Sequence, residues 1–181
     1  IKKFSKKNIQ KFEKYIRVNK GYSRYKLFDF FFKSILKLNS IEYTFEYNEA
    51  LNFYNSSLKK KYSNCKYIPG VINFIKKNNN KKKYIISGSD QKELIKVFKL
   101  KKIDKYFKKI MGSPTLKIDN AITINHKMDK TLKKIYFGDS YYDYLVAKKI
   151  NADFIFISGF SDDKKLFNIK KINKFNDFTT L

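Results

Sequence analysis

The 181-residue chain predicts an α/β fold, a parallel sheet with helices on both faces, together with a small all-helical segment. Three observations point to it. From Val71 onward, short apolar runs alternate with helical segments, the way successive βα units of a parallel sheet read. Ahead of that point, apolar residues recur at helical spacing instead. Hydrophobic residues make up 43% of the chain and aromatics 18%, enough apolar surface for one compact core with an appendage. The turn signal Tyr67-Ile68-Pro69-Gly70 divides the chain into a helical part over 1–66 and an α/β part over 67–181.

In the helical part, Phe4, Ile9, Phe12, Tyr15 and Ile16 follow the 3.6-residue period, and so do Tyr25, Phe28, Phe31, Phe32, Ile35 and Leu36. Gly21 and Ser23 punctuate these two helices, with Ser23 available as an N-cap. A third helix runs roughly from Glu46 to Tyr62 through Ala50, Leu51, Phe53, Tyr54 and Leu58. In the α/β part, strands are expected at Tyr84 to Ser87, Lys109 to Gly112, Ile135 to Gly138 and Phe154 to Ser158, with an edge strand around Ile172. Helices are expected at Val71 to Lys77, Asp90 to Phe98, Tyr142 to Ile150 and Asp162 to Phe167. Asn78-Asn79-Asn80 reads as a loop after the first of these.

Charge and composition narrow the function classes. The net charge of +25 raises nucleic-acid binding. However, only Arg17 and Arg24 of the 41 basic residues are arginines, and the lysines fall on nearly every segment, as at Lys59-Lys60-Lys61, Lys81-Lys82-Lys83 and Lys170-Lys171. Together with the abundance of Asn, Ile, Phe and Tyr, this reads as codon bias and a solvated surface, with no specific nucleic-acid partner. Cys65 is the sole cysteine, no apolar run is long enough to span a bilayer, and no secretory signal is visible. The expectation is a reduced, soluble, cytoplasmic protein with no membrane partner; no oligomeric state is legible.

Ligands of open parallel sheets gather at the carboxyl ends of the strands, and three such ends carry chemistry. At Ile85-Ile86-Ser87-Gly88-Ser89-Asp90, the Ser87 hydroxyl and the amides of Gly88 and Ser89 could hold phosphoryl oxygens at a helix start; alternatively Ser87 or Ser89 simply caps that helix. At Ile110-Met111-Gly112-Ser113-Pro114-Thr115-Leu116-Lys117, a tight turn leads to a lysine that could steady charge during phosphoryl transfer, though any one lysine here could equally be solvated surface. At Ile135-Tyr136-Phe137-Gly138-Asp139-Ser140-Tyr141-Tyr142-Asp143, two carboxylates one helical turn apart could hold Mg²⁺, a hard cation that takes oxygen ligands. The alternative is that Asp139 caps the next helix and Asp143 sits in its first turn.

The series Ser87, Lys117, Gly138-Asp139-Ser140-x-x-Asp143 resembles motifs two, three and four of the haloacid dehalogenase superfamily, in the branch similar to phosphoglycolate phosphatases and β-phosphoglucomutases. Gly21-Tyr22-Ser23-Arg24-Tyr25-x-x-Phe28 is similar to that branch's helical cap. The resemblance implies a Rossmannoid parallel sheet with a cap, and a Mg²⁺-dependent phosphomonoester hydrolase acting on a small phosphorylated metabolite. Asp139 would bind the metal and Asp143 would bind or orient it, Lys117 would bridge nucleophile and phosphate, and Ser87, Gly88 and Ser89 would hold phosphoryl oxygens. In the cap, Arg24 could reach the substrate's anionic end or form an internal ion pair. His126 has no role.

One part of the family pattern is missing. The family's nucleophile lies in an Asp-x-Asp at the end of a central first strand, and no Asp-x-Asp occurs in this chain. Asp29 stands in a helical pattern. The expectation is that the nucleophile and central strand lie upstream of Ile1, which leaves this chain inactive alone. The strands of motifs two and four should then stand about 9 to 10 Å apart or pair directly. A phosphomutase, a catalytically inactive scaffold and, less favoured, a basic nucleic-acid binder are the alternatives.

Overall fold

The computed structural model describes residues 4–181, except the side chains of residues 59, 60 and 63. The solvated-surface reading of Lys59 and Lys60 therefore lies outside the described residues. Two compact units make up the chain, Ile1–Cys65 and Lys66–Leu181.

The first unit is wholly helical, the cap of this fold class. Helix α1 (Lys6–Val18) opens where Ser5 Oγ accepts the Asn8 amide at 3.3 Å. Helix α2 (Arg24–Phe30) is capped by Ser23, as its spacing predicts, and runs on into a π-helical turn at Phe31–Ile35. Helix α3 (Ser40–Ser63) begins earlier than the apolar period suggests. Asn39 and Glu42 form a capping box there: the Asn39 side chain accepts the Ile41 and Glu42 amides at 3.1 and 3.0 Å, and Glu42 accepts the Asn39 amide at 3.3 Å. The unit's core is aromatic. Phe31 and Phe32 are buried, and Phe4 meets Phe31 edge-on with ring centroids 5.2 Å apart.

The second unit alternates helix and strand. Helix α4 (Val71–Lys77) precedes β1 (Tyr84–Asp90), α5 (Gln91–Leu100) and β2 (Lys109–Ser113). Then follow α6 (Lys117–His126), β3 (Ile135–Gly138), α7 (Tyr141–Lys149), β4 (Asp153–Ile157), α8 (Lys164–Phe167) and β5 (Asn173–Phe175). All strand pairings are parallel. They form two pieces, β1–β2 and β3–β4–β5. Of the two expected outcomes, direct pairing of β1 with β3 does not occur among the described residues.

Strand β3 has its expected bounds, and β4 and β5 lie within a residue or so of theirs. Strand β1 differs, continuing three residues past Ser87. Its pairing with β2 runs Tyr84↔Lys109 to Ile86↔Met111, breaks, and resumes at Asp90↔Ser113, so Ser87-Gly88-Ser89 form a bulge. Helix α6, with Lys117 as its first residue, was not expected. Its apolar residues Ile118, Ala121 and Ile122 have helical spacing, but Asp119, Asn120, Thr123 and Asn125 are weak helix formers and mask it.

The core gathers around β3 and β4. Ala147, Phe154, Phe156 and Leu166 form one buried cluster on which Tyr136 and Ile172 pack. Ala121, Val146 and Ile150 form another, lined by Ile86 from β1 and again by Tyr136. No helix among the described residues is long and apolar enough to cross a membrane.

Candidate functional site

The carboxyl ends of β1, β2 and β3 are tied together by polar bonds. Ser113, buried at the end of β2, donates its hydroxyl to the Gly88 carbonyl in the β1 bulge at 2.8 Å. The Gln91 amide nitrogen donates to the Ile110 carbonyl at 2.9 Å, and its oxygen accepts the Gly112 amide, so a side chain replaces the ladder partners that the bulge removes. From α6, buried Asn120 donates to the Gly112 carbonyl at 3.1 Å. That brace fixes the start of α6, and Lys117 then reaches across to the loop after β3, its Nζ lying 2.7 Å from Asp143 Oδ1.

Asp143 is the hub of this loop. Ser140, and not Asp139, caps α7: its Oγ accepts the Asp143 amide at 3.2 Å, while Asp143 Oδ2 accepts from Ser140 Oγ at 2.6 Å and from the Ser140 amide at 3.3 Å. Oδ1 accepts from Lys117 and, at 3.3 Å, from the Tyr136 hydroxyl. Both oxygens of the Asp143 carboxylate are therefore engaged. The close approach of Asp143 to β3 also requires Gly138, because a Cβ there would lie 2.4 Å from Asp143 Cβ. This steric demand is what the glycine in Gly138-Asp139 meets.

The two acids are electrostatically opposed. Burial works against the charge of Asp143, but the nearby Lys117 ammonium and the hydrogen bonds from Lys117, Ser140 and the Asp139 amide outweigh it, holding the carboxyl below its usual range. Asp139 goes the other way. Loss of hydration pushes its carboxyl up first and the Asp143 charge second, with Lys117 opposing both. The residue is nonetheless exposed to solvent. The Tyr136 phenol is pushed far up by burial and then by Asp143, and stays a donor.

Lys117, Asp139 and Asp143 therefore form one constellation. Ser87, Gly88 and Ser89 lie in the β1 bulge, which Ser113 ties to the end of β2. They do not start a helix. Asp90 caps α5 by accepting the Lys92 and Glu93 amides at 2.9 and 3.0 Å, and the Ser89 amide is donated to Ser87 Oγ at 3.1 Å. Arg24 lies in the helical unit and is buried there, its guanidinium bonded to Asn55 Oδ1 and 5.1 Å from the centre of the Tyr54 ring. Asp29 is held inside the same unit by the Tyr43 hydroxyl and Lys33, each at 2.7 Å.

A family model, haloacid dehalogenase-like hydrolase, matches residues 2–157. The chain belongs to the haloacid dehalogenase-like hydrolases. No curated protein and no solved structure matches it. Within this hydrolase family member, sequence reasoning missed the residues that brace the site. Ser161 donates its hydroxyl to the Asp139 carbonyl, and buried Asp163 accepts the Tyr141 amide at 2.7 Å, so the loop after β4 clasps the loop after β3. Only Ser140 had a local signal, the Ser-x-x-Asp spacing of a capping box. Among the described residues, no group of three or more His, Cys, Asp or Glu side chains is arranged to hold a metal. A hard cation fits Asp139, an open oxygen donor beside a second negative charge. The neighbouring Asp143 carboxylate is bonded to Lys117, Tyr136 and Ser140.

Proposed function

We propose that the protein is a Mg²⁺-dependent phosphomonoester hydrolase acting on a small phosphorylated metabolite. The observation that carries the reading is the Lys117 ammonium 2.7 Å from Asp143, with solvent-accessible Asp139 beside them at the end of a parallel strand. In this reading Asp139 holds the cation and Asp143 orients Lys117 without ligating. When bound, the cation offsets negative charge on the phosphoryl oxygens. Lys117 supplies a fixed positive charge to the transferring group, which needs stabilisation more than covalent assistance. The Ser87 hydroxyl accepts the Ser89 amide, which leaves its proton available to a phosphoryl oxygen.

The nucleophile is a carboxylate outside this set, on a strand between β1 and β3. Support comes from the sheet: β1 is bonded only to β2 and β3 only to β4 among the described residues, so each has an edge able to accept a parallel neighbour. Without that strand, these residues do not turn over phosphate. The test is phosphate release by the full-length protein from a panel of phosphorylated metabolites, with and without Mg²⁺. Asp139→Ala should abolish Mg²⁺-dependent release; full activity in that variant would overturn the assignment.

A further inference from the structure

We propose that the Tyr136 hydroxyl is a positioning group for Lys117, acting through Asp143 Oδ1; the proposal rests on the phosphohydrolase reading above. Tyr136 lies in β3 and packs against both buried clusters of the second unit. For that packing a phenylalanine would serve as well, so the hydroxyl needs a separate account. A buried phenol requires a hydrogen-bond partner. The partner it finds is the oxygen that Lys117 Nζ also occupies, at 3.3 Å from the phenol and 2.7 Å from the ammonium.

The consequence follows from the donors on each oxygen. Oδ2 is held by Ser140, whose bonds also cap α7 and so fix the local backbone. Oδ1 accepts from Lys117 and Tyr136, both side chains. The lysine ends a flexible four-carbon stem and cannot by itself define where Oδ1 stands. Tyr136 projects from a strand and is wedged between two clusters, which makes it the rigid member of the pair. Its hydroxyl therefore sets the rotation of the Asp143 carboxylate, and that rotation sets where the Lys117 ammonium rests.

Tyr136→Phe keeps the packing and removes only this bond. In the full-length protein, with p-nitrophenyl phosphate and Mg²⁺, kcat should fall about three- to tenfold while KM stays within about twofold. A purely structural hydroxyl would lower the unfolding temperature and leave kcat unchanged, and that result would overturn the proposal. A second readout needs no turnover. Acylation of Lys117 by an amine-reactive reagent, followed by peptide mass spectrometry, should speed up about threefold or more in Tyr136→Phe, with exposed Lys127 as the unchanged reference. Equal labelling of Lys117 in both proteins refutes the positioning role. Absence of phosphate release from the wild type would instead count against the phosphohydrolase reading, and the labelling result still decides the role of Tyr136.

Discussion

The two pieces of the parallel sheet differ in what holds them. In β4, Phe154, Ile155, Phe156 and Ile157 are all buried, and both edges of the strand are bonded. In β1 no residue is fully buried, one edge is bonded, and the end of the strand depends on polar braces from Ser113 and Gln91. Asp139 and Asp143 follow β3 on the well-packed piece, Ser87 stands on the other, and Lys117 opens α6, a helix that packs against β1, β2 and α7 alike. The two acids thus rest on a core able to hold them, while the hydroxyl that would complete the site sits on the less consolidated half.

The largest test of this contrast is truncation in each piece. Phe156→Ala empties a fully buried position and should cost about 3–5 kcal/mol, against about 1–2 kcal/mol for Ile86→Ala in half-buried β1, both read by urea denaturation. Equal losses would remove the contrast.

Next in size is the ion pair. Asp143→Asn leaves Lys117, whose side chain is 11% exposed, without its counter-charge and should cost about 3 kcal/mol. It should also change the acid limb of the stability profile. Because the folded Asp143 carboxyl lies below its ordinary value, its contribution is complete above the unfolded carboxylate range near pH ~4 and is lost as pH falls through the folded value. Asp143→Asn removes that loss on acidification, as a pH series of unfolding curves would show.

The smallest effect has the opposite sign. Asp139 is held above its ordinary value, so its contribution is present at low pH and is lost as pH rises through the folded value. Asp139→Asn should therefore be more stable than wild type at pH ~7 by about 0.5 kcal/mol, a figure kept low because the side chain is open to solvent. A drop in unfolding temperature would show that Asp139 is a structural acid. Gain of stability with loss of turnover is the signature of a site assembled at the expense of the fold.

How much of this was legible depends on how local the determining contacts are. Strand β3 and the helix after it were readable because Ile135-Tyr136-Phe137-Gly138 is an uninterrupted apolar run closed by glycine. Motif order singled out Lys117 and Asp143 separately, as a phosphate-side cation and a metal-side acid, but not the ion pair that they form, whose partners lie far apart in the chain. The bulge at Ser87-Gly88-Ser89 was not readable, since Ser113 and Gln91 create it from other elements. For Arg24 an internal pairing was among the readings, but not its partner Asn55, which belongs to a different helix. Helix α6 was hidden because buried Asn120, a poor helix former, is there to brace β2.

Among the described residues one side of β1 and one side of β3 are unbonded, and wherever the strand proposed between them is absent this carries a practical consequence for handling. Each presents a row of amide and carbonyl groups beside apolar residues, Ile85 and Ile86 on one and Tyr136 and Phe137 on the other. Such rows are templates for strand addition between molecules. Lys83 and Lys134 stand beside them, but their ammonium groups are bonded to the Asn78 and Lys81 carbonyls and to Asn125 and the Ile150 carbonyl, so they guard these edges weakly and self-association should respond little to salt.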